Sequence, residues 1–462
     1  MSVVARPVPQ GRRQRGASKP TTETKGNRRS QAVAAPVERM ATRVATPETN
    51  GGQVKGPVRE RHEADTGVII ASVILAAVGV AMAYSAGAAD IARGILPNTL
   101  APELFWVSLG VVVMLVAGRI DYRFLRLVSV PAFLVSVGLL VVVLGPSLGI
   151  LHPVGVRDSA RWLSFAGIIQ FHPAEIAKLA TVIYLAHWLT RRGSTIGGLR
   201  SGTIPFLLIA GSVIGLIALE PDLGTTGVVT LTAFTMFFVA GGSIWQLLLM
   251  VPAGVIALAM YIQTSSYQHD RWLTFLNPWA DPEGKGYQTV QGLLALGLGG
   301  VTGQGIGSSR GPGSLALPAA ENDFVFAMVG QELGTWGGAL VIALFAFIAW
   351  RGIRIAHRAP DTFGALLALG VSVCIVFQAF INIGVVLQLV PLTGITLPFV
   401  SSGNSSLLVS FAAIGILLSV SRETRQTGDD DDARPGRRRW HRRPHLPRLG
   451  RSSGAGTAAA GS

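Results

Sequence analysis

Ten apolar stretches between Thr66 and Val420 constrain this chain more than any other feature. They fall near residues 67–86, 102–118, 124–145, 173–190, 203–219, 224–241, 244–263, 324–350, 362–387 and 404–420. Each is about 17–27 residues long, enough to cross roughly 30 Å of hydrocarbon as a helix. No water in the bilayer core can satisfy backbone N–H and C=O groups, so each segment must satisfy its own. The expected fold is therefore an all-α polytopic membrane protein of about ten transmembrane helices. Charged residues agree, at 14% of the chain against about 25% in soluble domains.

A net charge of +14 could suggest a nucleic-acid partner, but its placement argues against one. Residues 1–65 hold 13 Lys/Arg against 6 Asp/Glu, and residues 422–462 hold 10 against 5. The membrane body, 66–421, is thus nearly neutral. Both tails lack apolar periodicity, and the second runs through Asp429–Asp432 into Arg437, Arg438, Arg439, Arg442 and Arg443. Neither can bury enough apolar surface to offset its ordering entropy, so both read as disordered. They are either plain solvated chain or segments drawn to anionic lipid or a cytoplasmic partner. The first 60 residues are polar, without the apolar core of a cleavable leader, so the first stretch is expected to act as a signal anchor. Cys374, the single cysteine, lies in an apolar stretch, which excludes an intramolecular disulfide and a thiolate metal cluster.

Basic residues orient the spans. Arg119, Arg123 and Arg126, then Arg191, Arg192 and Arg200, then Arg351, Arg354 and Arg358 all fall on the side of both tails. The positive-inside bias makes that side cytoplasmic. The long 264–323 loop between the seventh and eighth helices is then extracytoplasmic. Its tryptophans and weak amphipathicity suggest a segment at the membrane interface. Its glycine run, Gly303 to Gly307, lacks the strand–helix setting of a nucleotide loop.

With this topology the fourth, sixth, eighth and tenth helices start on the outer face, and every start is marked. The marks are His172-Pro173-Ala174-Glu175, Glu220-Pro221-Asp222, Glu321-Asn322-Asp323, and Ser401-Ser402-Gly403-Asn404-Ser405-Ser406. Helix capping explains each one singly, since Asp, Asn and Ser accept bonds from orphan N–H groups. Four together on one face suggest an anion site, because helix N-termini attract phosphate. Glu175 and Lys178, spaced i,i+3, share a helix face in an apolar span, where ionisable groups are costly. They form either a structural ion pair or part of a substrate pathway. Arg161, just upstream, offers bidentate contacts to phosphate unless it is simply solvated.

Five ordered motifs carry a resemblance. They are His172-Pro173-Ala174-Glu175; Pro221-Asp222-Leu223-Gly224-Thr225; Asn277-Pro278 with Gly286-Tyr287-Gln288; Leu317-Pro318 with Asp323-Phe324-Val325-Phe326-Ala327; and Leu397-Pro398-Phe399-Val400-Ser401. Together they closely resemble the SEDS proteins, the family of FtsW, RodA and their sporulation relative, over about residues 66–422. Tyr84-Ser85, Pro278-Trp279-Ala280-Asp281-Pro282 and Leu317-Pro318-Ala319-Ala320 look more like FtsW than RodA.

The resemblance implies a peptidoglycan glycosyltransferase that polymerises lipid II on the outer face of the cytoplasmic membrane at division. A RodA-like elongation polymerase and a lipid-linked precursor flippase or transporter are the alternatives. Asp323 matches the family's essential aspartate and is the implied base. Glu175 and Lys178 match an acid–base pair expected to line the lipid cavity. Arg161 and Asp222 match further family positions, and Ser401, Ser405 and Ser406 are expected substrate contacts. A divalent cation, Mg or Mn, would help neutralise pyrophosphate; no ligand set is legible and no organic cofactor is expected. Implied partners are lipid II, the nascent glycan strand, a class B penicillin-binding protein (a transpeptidase) and other divisome or elongasome membrane proteins, with no nucleic acid. Glu321, Asn322, Gln331 and Asn404 depart from the family's usual residues. Glu321 is expected to raise the pKa of Asp323.

Overall fold

The computed structural model describes residues 64–87, 99–145, 151–154, 161–165, 169–308 and 322–423. All ten predicted spans are helices. They are α1 (Thr66–Ala86), α2 (Leu100–Arg119), α3 (Phe124–Leu144), α4 (Pro173–Arg192), α5 (Ile204–Leu219), α6 (Leu223–Val239), α7 (Ile244–Thr264), α10 (Val325–Arg358), α11 (Thr362–Val386) and α12 (Asn404–Arg422). Two shorter helices, α8 (Ser266–Leu276) and α9 (Tyr287–Gly299), occupy the long loop. Eight helices among the described residues are long and apolar enough to cross a membrane, with α5 counted together with its preceding turn. The other two are α6, which is short, and α4, whose apolar character Glu175, Lys178 and the terminal Arg191 and Arg192 dilute. Both lie largely inside the bundle, where protein rather than lipid covers them.

The helix ends follow from their sequences. Pro173 sits in the first turn of α4, where its missing N–H costs nothing. Asp65 Oδ1 caps α1 at Val68 N, and Asp361 Oδ1 caps α11 at Gly364 N. These two caps also receive arginines, Arg351 at 2.7 Å and Arg126 at 2.9 Å, on the basic side of the bundle. In the interior, α12 packs on α2 through small residues. A Cβ at Gly415 would meet Met114 O and Ala117 Cβ at 2.6 Å. Apolar burial cannot drive association among lipid-like surfaces, so such close approach supplies the packing. By contrast, α7 shows no buried side chain among its described residues and rests mainly on α8.

Two features depart from a plain helix bundle. A three-stranded antiparallel sheet, β1 (Leu151–Val154), β2 (Trp162–Phe165) and β3 (Ile169–Phe171), lies in the connection between α3 and α4. It runs directly into α4. In addition, α10 is broken at Gly334, where φ is +68° and ψ −165°. The carbonyls freed there are satisfied by the glycine run after α9: Gln304 N donates to Gln331 O and Gly305 N to Glu332 O, both at 3.0 Å. Gly303, at φ +80°, leaves no space for a side chain, since a Cβ there would meet Glu332 O at 2.1 Å. The half-helix Val325–Glu332 is buried throughout. Ser85 Oγ, at the end of α1, donates to Glu332 Oε1 and ties the break to the first helix.

Gly334→Ala should therefore destabilise the protein by about 1–3 kcal/mol, the range for one residue forced into such backbone. The thermal unfolding midpoint in detergent checks this. An unchanged midpoint would mean that the 300–305 turn yields freely.

Residues 1–63 and 424–462 hold almost all of both tails, so the expected disorder there lies outside the described residues. Glu321 and the Leu317-Pro318-Ala319-Ala320 motif lie outside them as well.

Candidate functional site

The site is assembled around the irregular segment between α11 and α12, residues 387–403. Ile395, Leu397, Phe399, Val400 and Ser401 are all buried, although no regular ladder serves their backbone. Non-helical chain at such depth needs partners from the surrounding protein. Asn382 Nδ2 donates to Ile395 O at 2.7 Å, Gln378 Nε2 to Thr396 O at 3.1 Å, and Leu397 N to Ser401 Oγ at 2.7 Å. Asn382 Nδ2 also reaches Asp323 O at 2.9 Å, fixing the start of α10 to the same segment.

Gly394, at φ +76°, is the meeting point. A Cβ placed on it would lie 3.5 Å from Asp323 Oδ2, 3.7 Å from Arg161 Nη1 and 3.8 Å from Arg271 Nη2. One carboxylate and two guanidiniums thus converge from three parts of the chain. Among the described residues neither arginine forms an ion pair within 4.0 Å. Carbonyls hold them instead: Arg161 Nε donates to Glu220 O at 3.1 Å and Nη2 to Pro221 O at 2.7 Å, while Arg271 Nη1 donates to Leu392 O at 3.1 Å. Tyr267 lies beneath both, its ring centroid 4.4 Å from Arg271 Cζ and 5.9 Å from Arg161 Cζ. Burial lowers the pKa of Arg271 from its usual value, so its charge is poorly solvated. A poorly solvated cation beside a second one, the two sharing one nearby carboxylate, Asp323, and held by no direct ion pair among the described residues, favours an anionic ligand.

Burial also raises the Asp323 carboxyl from the ordinary carboxylate range to about 6. Arg271 and Arg161 oppose that shift, and Asp222 adds to it. The expected neighbour, Glu321, falls outside the described residues, and burial supplies the leading cause. Capping does not account for Asp323, because the N-cap of α10 is Phe324 and no side chain caps it.

Asp222 does cap. Its Oδ1 accepts from Thr225 N at 2.9 Å, and its Oδ2 lies 3.7 Å from His172 Nε2. Burial holds the His172 imidazole below its usual pKa, so this contact is carboxylate to neutral ring. His172 N donates to Ser405 Oγ at 3.2 Å, and its ring stands edge-on to Trp162, 5.4 Å between centroids. The small sheet thereby fixes Arg161, one residue before β2, against the start of α4.

Glu175 and Lys178 pair at 2.8 Å and are 7% and 3% exposed. Lys178 Nζ also donates to Gln378 Oε1 at 2.6 Å. Through its amide nitrogen, Gln378 continues to Ser406 Oγ at 3.2 Å, which accepts from Thr396 Oγ1 at 2.8 Å. The pair is therefore wired into the buried segment that carries Gly394.

The three serines expected to contact substrate are engaged within the fold. Ser401 Oγ donates to Asn322 O at 2.6 Å, and Ser405 and Ser406 hold His172 and Gln378. Arg271 was absent from the expected site residues. Its signal, an Asp270-Arg271-Trp272 cluster in the outer loop, shows a site role only once Leu392 is brought beside it. Among the described residues no group of three or more His, Cys, Asp or Glu side chains is placed to hold a metal ion.

A family model described as "Cell cycle protein", FtsW/RodA/SpoVE, matches residues 66–426. Stage V sporulation protein E of Bacillus subtilis (strain 168) is 38% identical over 360 residues, 78% of this chain and 97% of that protein. A probable peptidoglycan glycosyltransferase FtsW of Thioalkalivibrio sulfidiphilus is 38% identical over 377 residues, 80% of this chain and 92% of that one. Among solved structures, a chain of a peptidoglycan synthase complex that coordinates polymerization and crosslinking superposes with a TM-score of 0.63 at 27% identity. It covers 79% of this chain and 99% of that one. Thermus thermophilus RodA, a rod shape determining protein, gives 0.57 at 26% identity, covering 79% and 98%. A match across the whole membrane body, joined to the ten-helix architecture, places this chain in the FtsW/RodA/SpoVE family.

Proposed function

We propose that this protein is an FtsW-like peptidoglycan glycosyltransferase that polymerises lipid II on the extracytoplasmic face of the membrane. The observation that carries the reading is the convergence of Asp323, Arg161 and Arg271 on Gly394. In this reaction Asp323, ionised, accepts the proton of a sugar hydroxyl on one lipid II. The hydroxyl oxygen bonds to the anomeric carbon of the growing chain as the bond to the pyrophosphate oxygen breaks. Arg161 and Arg271 receive the charge that builds on the leaving pyrophosphate. Glu175 and Lys178, through Gln378 and Thr396, keep the segment under the site in place. The tails lie in the cytoplasm, as the loop arginines support. A class B penicillin-binding protein supplies crosslinking, a reading supported by the synthase complex that this chain resembles.

Purified protein should polymerise labelled lipid II, with and without that partner. Transport of lipid II across vesicles in the absence of any glycan product would favour the flippase reading instead. The rate should also fall with acid. A base of pKa about 6 works ionised, so activity is present above that value and lost below it, with roughly one-tenth left at pH 5. A rate unchanged between pH 7.5 and 5 would remove Asp323 as the base.

A further inference from the structure

Glu220 is fully buried, and among the described residues neither of its carboxyl oxygens has a hydrogen-bond partner. A buried carboxylate without partners is costly, and the group neutralises instead. Glu220 nevertheless sits at the centre of the Arg161 anchorage. Its own carbonyl oxygen takes Arg161 Nε, and the carbonyl of the next residue, Pro221, takes Nη2. Its side chain feels two charges, Asp222, which disfavours ionisation, and Arg161, which favours it.

We propose that Glu220 is a neutral carboxylic acid in the working protein, and that its neutrality reserves the Arg161 guanidinium for a phosphate-class anion. The proposal rests on the reading of the Arg161–Arg271 pair as the pyrophosphate site. Ionised, Glu220 would be an internal rival for Arg161, already attached to the residue that the guanidinium holds. Neutral, it leaves Arg161 anchored by carbonyl dipoles and free of a direct ion pair with Glu220. Burial is the main cause that keeps the proton on, with the Asp222 carboxylate beside it, and together they move the carboxyl to about 9.

The test uses inorganic pyrophosphate as the probe and the purified full-length protein, parent and Glu220→Gln. Between pH 7.5 and 10 the parent should lose about ten-fold more affinity than Glu220→Gln, because only about one-tenth of the parent remains in the competent, neutral form. Asp222, Asp323, His172, Arg161, Arg271, Tyr261 and Tyr267 surround the site in both proteins, so their titrations cancel in the comparison. Parallel affinity curves would overturn the proposal, as would failure of the parent to bind pyrophosphate at pH 7.5. If Glu220→Gln does not fold, infrared spectroscopy of Asp323→Asn decides. A protonated-carboxyl band present at pH 8.5 and lost by pH 10.5 supports Glu220, and its absence at pH 8.5 overturns it. Lipid II polymerisation by the parent, on the same preparation, separates the two readings. A pH-dependent pyrophosphate difference without polymerisation sinks the enzyme and keeps Glu220, whereas polymerisation with parallel curves does the reverse.

Discussion

Asp323→Asn should reduce lipid II polymerisation by at least about 100-fold, the lower bound for loss of a positioned general base, with thermal stability nearly unchanged. The substitution keeps the shape of the side chain. The bond that ties this residue to α11 uses its backbone oxygen, accepted from Asn382 Nδ2, and survives. No helix cap is lost, because α10 has no side-chain cap. An amide cannot take up a proton at neutral pH, so the defect should lie in turnover. Unfolding and polymerisation measured on one preparation check both halves. Substantial glycan synthesis by folded Asp323→Asn would remove the base assignment and direct attention to Glu321.

The second large effect belongs to Glu175 and Lys178. Each is buried, and removing either leaves the other charged and uncompensated, at about 3–5 kcal/mol. Glu175→Ala and Lys178→Ala should each unfold well below the parent and polymerise poorly. The double variant should be no worse than either single, because it strands no charge. Lys178 also donates to Gln378, so its loss loosens the Thr396–Ser406 link that Glu175 does not touch directly. Normal stability and turnover in both singles would make the pair peripheral. Additive losses in the double variant would show two independent roles.

The spans were legible because hydrocarbon imposes one rule on every residue that faces it, and all ten helices stand where hydropathy put them. The Glu175–Lys178 contact was legible for a similar reason, since i,i+3 spacing is a local property of a helix. The rest depended on distant parts of the chain. Trp162, Leu163, Ser164 and Phe165 are strand-prone, but a four-residue strand declares itself only when β1 and β3 lie beside it. Gly334 looked like one more glycine in a span, and its break becomes visible when the 300–305 turn fills the gap. Arg271 needed Leu392, 121 residues away, to become part of a site. Short polar side chains near helix starts suit a ligand and a buried coil equally well, and the bonds of Ser401, Ser405 and Ser406 tie helix starts to the coil.

The carbonyl-held arginines carry one more implication. Arg161 takes its position from the turn joining α5 to α6, and Arg271 from the segment following α11. The distance between the two positive charges is thus inherited from the relative placement of two separate backbone segments. A partner helix that shifted one of them against the other would retune the charge spacing without touching a single site residue.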